Sequence, residues 1–216
     1  MRNTAPMPDH SGPIHDAAER DIAIARDLLA AGREDAATVL LRGVSGRAGS
    51  RPAAASLTIA ASQADPRFRT LVAQADAQRD AHCWEAAEVL YREALALYPL
   101  HAGYLAQLGH CLKEQDAMAE AEMAYRSSLA LGAPREDVEA HIRYVCTMQG
   151  DARAPIPQAP APTTGPLGHP PTAADIELLF LLLRNRRPDP VREVLALLRN
   201  APTCQAVVDA LSMPEG

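Results

Sequence analysis

Two His-Cys dipeptides, His82-Cys83 and His110-Cys111, combine the residue types best suited to metal binding or thiol chemistry. A zinc ion needs three or four donors converging at about 2.0–2.3 Å, usually supplied by closely spaced pairs. Successive residues of a helix point about 100° apart, so an adjacent His and Cys seldom aim at one ion. Cys146 and Cys204 complete the set of four cysteines, and no CxxC pair is present. Neither a zinc knuckle nor a disulfide framework is therefore expected. A cysteine nucleophile needs an orienting acid and an oxyanion-stabilising loop around its Cys-His pair, and none accompanies these dipeptides. Phosphate loops, metal-ligand motifs and nucleophile elbows are also absent from the sequence. The expectation is a protein that is not an enzyme and takes no cofactor and no metal. Trp84, beside the first dipeptide, reads as an inter-helix packing residue.

Charge is the other resource. Arg184, Arg186, Arg187, Arg192 and Arg199 form a local basic patch in a chain of net charge −6. It would suit the acidic N-terminal half, an acidic partner or a phosphorylated sugar carrier, and equally a solvated face worth a few tenths of a kcal/mol per charge. The acidic balance argues against nucleic acid as a ligand, because phosphate binding needs a basic surface or stripe.

The elements that must position these residues are helical. The chain has 216 residues, 48% apolar but only 4% aromatic, so its core is built mainly from Ala and Leu. That composition favours helices. Ala87, Tyr91 and Leu97 recur as Ala121, Tyr125 and Leu131, and Leu71 and Ala75 recur as Leu105 and Gly109, all at one constant spacing. That period, near 34, with small residues where helices touch and aromatics where they interlock, marks a helix-turn-helix solenoid. The expected helices are 66–80, 84–97, 102–115 and 118–131, with a lone amphipathic helix at 135–148 covering the open end. Asp65-Pro66 and Gly132-Ala133-Pro134 supply the start and stop signals.

Upstream, residues 1–14 read as disordered. Helices from about His15 to Gly32 and on to Gly43 form a degenerate first pair, with Ala25 and Ala37 small and Leu41 in the aromatic position. This pair begins further upstream of the next one than the repeat period allows. The excess is read as an insertion, an Ala-rich helix at 52–62. Whether residues 15–62 continue the solenoid is left open by the pattern. Downstream, residues 150–172 hold seven prolines and read as a semi-rigid extended spacer, although proline-rich segments also serve as ligands for aromatic grooves. Residues 173–216 read as a small helical module. Thr172 or Asp175 caps a first helix with Ile176, Leu179, Phe180 and Leu183 inward. Pro188-Asp189-Pro190 turns into a second helix bearing Val191, Val194, Leu195 and Leu198. Thr203 caps a third, with Val207, Val208 and Leu211. No secretory signal is evident, and the longest strongly apolar run, Leu178 to Leu183, is too short to span a bilayer. A cytoplasmic protein with no membrane insertion is expected.

Residues 68–101 and 102–135 resemble tetratricopeptide repeats. The first offers Leu71, Ala75, Ala87, Tyr91, Ala94 and Pro99 at the positions that define the family. The second offers Leu105, Gly109, Ala121, Tyr125, Ser128 and Ala133, departing at Ser128 and Ala133. The resemblance implies an all-α solenoid, residues 15–149 at its widest, whose first helices line a concave groove. The groove positions map to Arg69, Val72, Asp76, Arg79 and Asp80, then Gly103, Ala106, His110, Lys113 and Glu114. It implies an adaptor or scaffold that captures a peptide or helix of a partner protein, with self-association left open. The tail stretch LLFLLLRNRRPDP, residues 178–190, is similar to a small helical module found beside bacterial glycosyltransferases and sugar-acting methyltransferases. Phe180, Arg186 and Asp189 occupy its aromatic, arginine and turn positions, and Met213-Pro214-Glu215 its end. Asn185 and Gly216 depart from it. That likeness implies a bacterial glycan-associated role as a non-catalytic accessory subunit. A secretion-type chaperone is the other alternative.

Overall fold

The computed structural model describes residues 12–44, 51–156 and 167–213. It is all-α, with solenoid-type packing of successive helices. The chain divides into two compact units, residues 1–66 and 67–216. The repeats and the tail therefore share one unit, and the upstream helices form the other.

In the first unit, α1 (Gly12–Ala30) and α2 (Glu34–Val44) pack on each other and on α3 (Arg51–Ala64). Helix α1 begins earlier than the expected 15, and residues 1–11 of the predicted disordered segment lie outside the described residues. Ala25, Ala37 and Leu41 are fully buried. Small side chains at the crossing let the two backbones approach and bury the flanking Leu and Val.

The second unit opens with α4 (Pro66–Asp80) and α5 (Trp84–Leu97), then α6 (Ala102–Glu114), α7 (Met118–Ala130) and α8 (Arg135–Met148). Its core contains Ala75, Ala87 and Tyr91, repeated as Ala121 and Tyr125, with Val138, Ile142 and Val145 from α8. Gly109 shows why the small residue is needed. A Cβ added there would lie 2.8 Å from the Tyr125 ring, closer than packed carbons tolerate.

The repeat is also written in the backbone. The turns that follow α4, α6 and α8 each contain a left-handed residue, at His82, Asp116 and Gly150, and these positions are equally spaced by one repeat. Each closing turn carries the same pair of hydrogen bonds: His82 N to Arg79 O and Cys83 N to Gln78 O, Asp116 N to Lys113 O and Ala117 N to Leu112 O, Gly150 N to Thr147 O and Asp151 N to Cys146 O. This turn satisfies the orphan carbonyls at a helix end. Gly32 makes the equivalent turn after α1, out of register with the other three.

After Gly150 the pattern stops. Pro155 cannot sit inside a helix at this point, and the chain instead lays Ala154 and Ile156 into the core, 2% and 8% exposed. Arg126 donates to the Pro155 carbonyl at 2.7 Å and Arg143 to the Ala154 carbonyl at 3.1 Å. Residues 167–172 are likewise engaged, with Leu167 and His169 carbonyls accepting from Gln205 and Cys204. The segment expected as a semi-rigid extended spacer over 150–172 is thus anchored at both described ends, through Ala154 and Ile156 and through residues 167–172, and residues 157–166 lie outside the description.

The tail comprises α9 (Ala173–Arg184), a π-helical turn (Pro190–Val194) that opens α10 (Leu195–Asn200), and α11 (Cys204–Ser212). Thr172 caps α9 and Asp175 returns the bond, a reciprocal capping box. The tail core is Ile176, Phe180, Val194, Leu198, Ala201, Val207 and Leu211, and Met123 of α7 packs into it. Leu183, expected inward, is 43% exposed, and Val191, one of the apolar residues of the second tail helix, is 55% exposed. The π-helical turn shifts the helical phase after Pro190, and the left-handed Asn185 ends α9 just beyond Leu183.

A buried ionic network fastens the tail to α7. Glu122, fully buried, accepts from Arg126 Nε at 2.7 Å, from Arg199 Nε and Nη2 at 2.8 and 2.6 Å, and from Gln149 at 2.8 Å. Arg199 also reaches Asp151 at 2.8 Å. Burial alone would raise the Glu122 carboxyl. The hydrogen bonds from Arg199 and the charge of Arg126 outweigh it and hold the group below its usual range. Ala173 N donates to Ser127 Oγ at 3.0 Å beside this network.

Candidate functional site

Helix α6 lies between α4 and α8 and touches each of them through side chains of one face. Arg79 of α4 donates to Gln107 of α6 at 2.9 Å. His110 of α6 contacts the ring of His141 on α8 at 4.5 Å between centroids. Lys113 lies over the ring of Tyr144 at 5.7 Å. The buried tyrosines of the second helices push their hydroxyls through to this face. Tyr91 donates to Asp76 at 2.6 Å, and Tyr125 meets His110 Nδ1 at 2.7 Å. Tyr125 also stacks on His141 at 5.3 Å. Each pair of helices therefore brings one tyrosine tip to a polar partner on its own first helix, and those partners, Asp76 and His110, are again one repeat apart.

The charges of this face are locally matched. Asp76 accepts from both Tyr91 and Arg79. Arg79 also bonds Asp80 at 2.8 and 3.0 Å. Lys113 pairs with Glu114 at 2.6 Å. Ala106 is half-buried against the core, while Arg69 and Gly103 are exposed. Val72 departs from the expected groove set: at 8% exposure it is a core residue and offers no surface to a ligand.

Residues absent from the expected set complete the face. Tyr104 and Gln107 come from α6, and His141, Tyr144 and Met148 from α8. Tyr144 and Met148 are 49% and 56% exposed, large apolar groups in contact with water on the helix that faces Lys113. A signal for them was available. One repeat period beyond His110 and Glu114 lie Tyr144 and Met148, so α8 is the first helix of a third repeat as well as the end cover.

The two dipeptides lie in different settings, His110-Cys111 within α6 and His82-Cys83 in the turn before α5. His110 lies against His141 and Tyr125, and Cys111 is fully buried, its thiol pushed up to about 11 by burial. His82 sits in the left-handed closing turn, edge-on to Trp84 at 5.1 Å, with Cys83 exposed. Trp84 packs against the core.

In the tail, Phe180, Arg186 and Asp189 come together through Glu193. Arg186 lies 5.0 Å above the Phe180 ring and donates twice to Glu193, at 2.7 and 2.6 Å. Asp189 N donates to the same carboxylate at 2.8 Å, and Asp189 Oδ1 accepts from Arg192 N. These bonds hold the Glu193 carboxyl down at about 2. The motif residues fasten the turn between α9 and α10. The arginine patch is divided in the same way: Arg199 is committed to Glu122, Arg186 to Glu193, and Arg184 reaches the Met213 carbonyl at 2.6 Å.

One property of the face is measurable by pH. Burial lowers the His110 pKa to about 4, with His141 and Lys113 adding to the effect. The unfolded chain binds this proton near pH 6.5 and the folded chain does not until about pH 4, so stability falls as pH drops between those values. Denaturant titrations at neutral pH and at a pH just above the folded value are expected to show that loss, and His110→Gln to reduce it. An unchanged pH dependence in the variant would refute the assignment.

Among the described residues no helix is long and apolar enough to cross a membrane. No protein-family model matches the chain, and no curated protein matches it, so the functional reading rests on this geometry.

Proposed function

We propose that the protein is an interaction adaptor of tetratricopeptide type that binds a peptide or helix of a partner protein on the face of α4, α6 and α8. The observation that carries this reading is the exposure of Tyr144 and Met148 on the helix that meets Lys113 and His110, while the tail packs on the second-helix layer through α7. An apolar pair near a cation and two imidazoles suits a partner segment that combines apolar and acidic side chains. Aromatic and Met side chains are enriched at such surfaces, and aromatics dominate their energetics.

The self-matched charges argue that affinity comes from Tyr144 and Met148, and that Lys113 sets register and approach rate. Arg79 is a poor choice for testing the site, because it also ties α4 to α6 through Gln107. The partner is best recovered from native extract on the full chain, then measured with purified protein. Tyr144→Ala with Met148→Ala is expected to weaken binding by at least tenfold, corresponding to about 1.4 kcal/mol, with unchanged helicity. Lys113→Glu should slow association. Equal affinity of wild type and the Tyr144/Met148 variant would overturn the reading. Binding lost instead in Arg186→Ala, with unchanged helicity and an unchanged unfolding midpoint, would favour the accessory-subunit alternative.

A further inference from the structure

His169, Asp175 and Cys204 are separated in sequence but converge in the tail, their donor atoms all within 4.8 Å of one another. We propose that these three side chains form a binding site for a zinc-class divalent metal ion, pinning the end of the proline-rich segment to α9 and α11.

The backbone builds the convergence before any ion is needed. The carbonyls of Leu167 and His169 accept from Gln205 N and Cys204 N at 3.0 and 2.9 Å. Those amides belong to the first turn of α11, where N–H groups have no helical acceptor. The clamp sets His169 Nδ1 3.5 Å from Cys204 Sγ. A tetrahedral zinc with Zn–S near 2.3 Å and Zn–N near 2.0–2.1 Å separates those two donors by about 3.5 Å. Asp175 is oriented from the other side, its Oδ2 accepting from Thr172 N at 2.8 Å and Thr172 Oγ1 at 2.7 Å. Hydrogen bonds of this kind are what fix the ligands of metal sites in place.

The donor set chooses the ion. One thiolate, one imidazole and one carboxylate suit zinc or cobalt and disfavour magnesium or calcium, which take oxygen donors. Cys204 is 2% exposed, whereas His169 and Asp175 are half-buried, so the site is reached from the His and Asp side. Three protein donors leave a fourth position for water or a partner group. In the metal-free chain the His169 Nδ1 faces two groups, Cys204 Sγ and the Pro170 carbonyl at 3.0 Å. On binding, the thiol loses its proton to solvent and forms the S–metal bond, and the Nδ1 proton that faced the Pro170 carbonyl is given up as Nδ1 takes the metal, leaving the neutral imidazole protonated on Nε2.

The test uses the full chain, reduced and stripped with chelator, titrated with Co²⁺ and then Zn²⁺. The expected result is one equivalent of Co²⁺ with a sulfur-to-cobalt charge-transfer band in the near ultraviolet, displaced by Zn²⁺. The band should disappear in Cys204→Ser and persist in Cys83→Ser. Affinity should fall at least tenfold in His169→Gln and in Asp175→Asn, which keeps an acceptor for Thr172. A second readout needs no variant: Zn²⁺ should slow alkylation of Cys204 in the wild-type chain at least tenfold, measured by peptide mapping, and leave Cys83 unaffected. Absence of the band, its survival in Cys204→Ser, or unaltered Cys204 alkylation would overturn the proposal.

Discussion

Replacing Glu122 with alanine is expected to destabilise the second unit by about 3–5 kcal/mol and to release the tail from α7. Glu122 is the acceptor for two guanidinium groups and the Gln149 amide. Without it, Arg126, 4% exposed, stays buried with no carboxylate beside it. Breaking one member of a buried ionic set costs far more than the net value of the set, because the remaining charge is left desolvated. Arg199→Ala should free the tail with a smaller loss, since Arg126 and Gln149 still serve Glu122. Urea unfolding gives the energies, and limited proteolysis of the proline-rich segment reports detachment. A Glu122→Ala chain as stable as wild type, with unchanged proteolysis, would show that the network does not hold the tail. The same carboxyl adds an acid limb. Its pKa is depressed in the fold, so its contribution is complete above the unfolded value near 4.3 and is lost as pH falls below it.

Tyr125→Ala should cost about 3–5 kcal/mol, the usual range for emptying a fully buried aromatic site. The more discriminating experiment couples it to Gly109. In the wild-type background Gly109→Ala should destabilise by about 1–3 kcal/mol, because its Cβ would meet the Tyr125 ring at 2.8 Å. With Tyr125 already alanine, the clash is gone. Gly109→Ala should then stabilise by up to about 1 kcal/mol through helix propensity. The change of sign is the signature of direct interlock. Additive effects in the double variant would mean that the small residue and the aromatic at this spacing do not meet.

The helices and their repeat register were legible because they rest on local chemistry. Alternating small and large residues, Pro at helix starts and left-handed closing turns act within a few residues. The Val72 assignment failed because a helical position shows only a direction, and whether that direction meets core or water depends on α4's neighbours. Tyr144 and Met148 follow from the register only if α8 continues the repeat, and the amphipathic pattern of α8 fits an end cover equally well.

The proline-rich segment was legible only as a non-helix. Composition predicts extension, but Ala154 and Ile156 find apolar partners in the core that α8 shares, and burial outweighs the tendency to stay extended in water. The docking of the tail was illegible for a deeper reason. Glu122 and Arg199 lie on separate helices far apart along the chain, and neither sits in a motif. Their attraction becomes strong only when packing removes water from both, so no linear pattern records it. The same holds for His169, Asp175 and Cys204, which share no spacing rule. Local propensity and periodicity thus carried the identity of the helices and the repeat. Long-range desolvation decided which faces closed, where the tail rests and which polar groups converge.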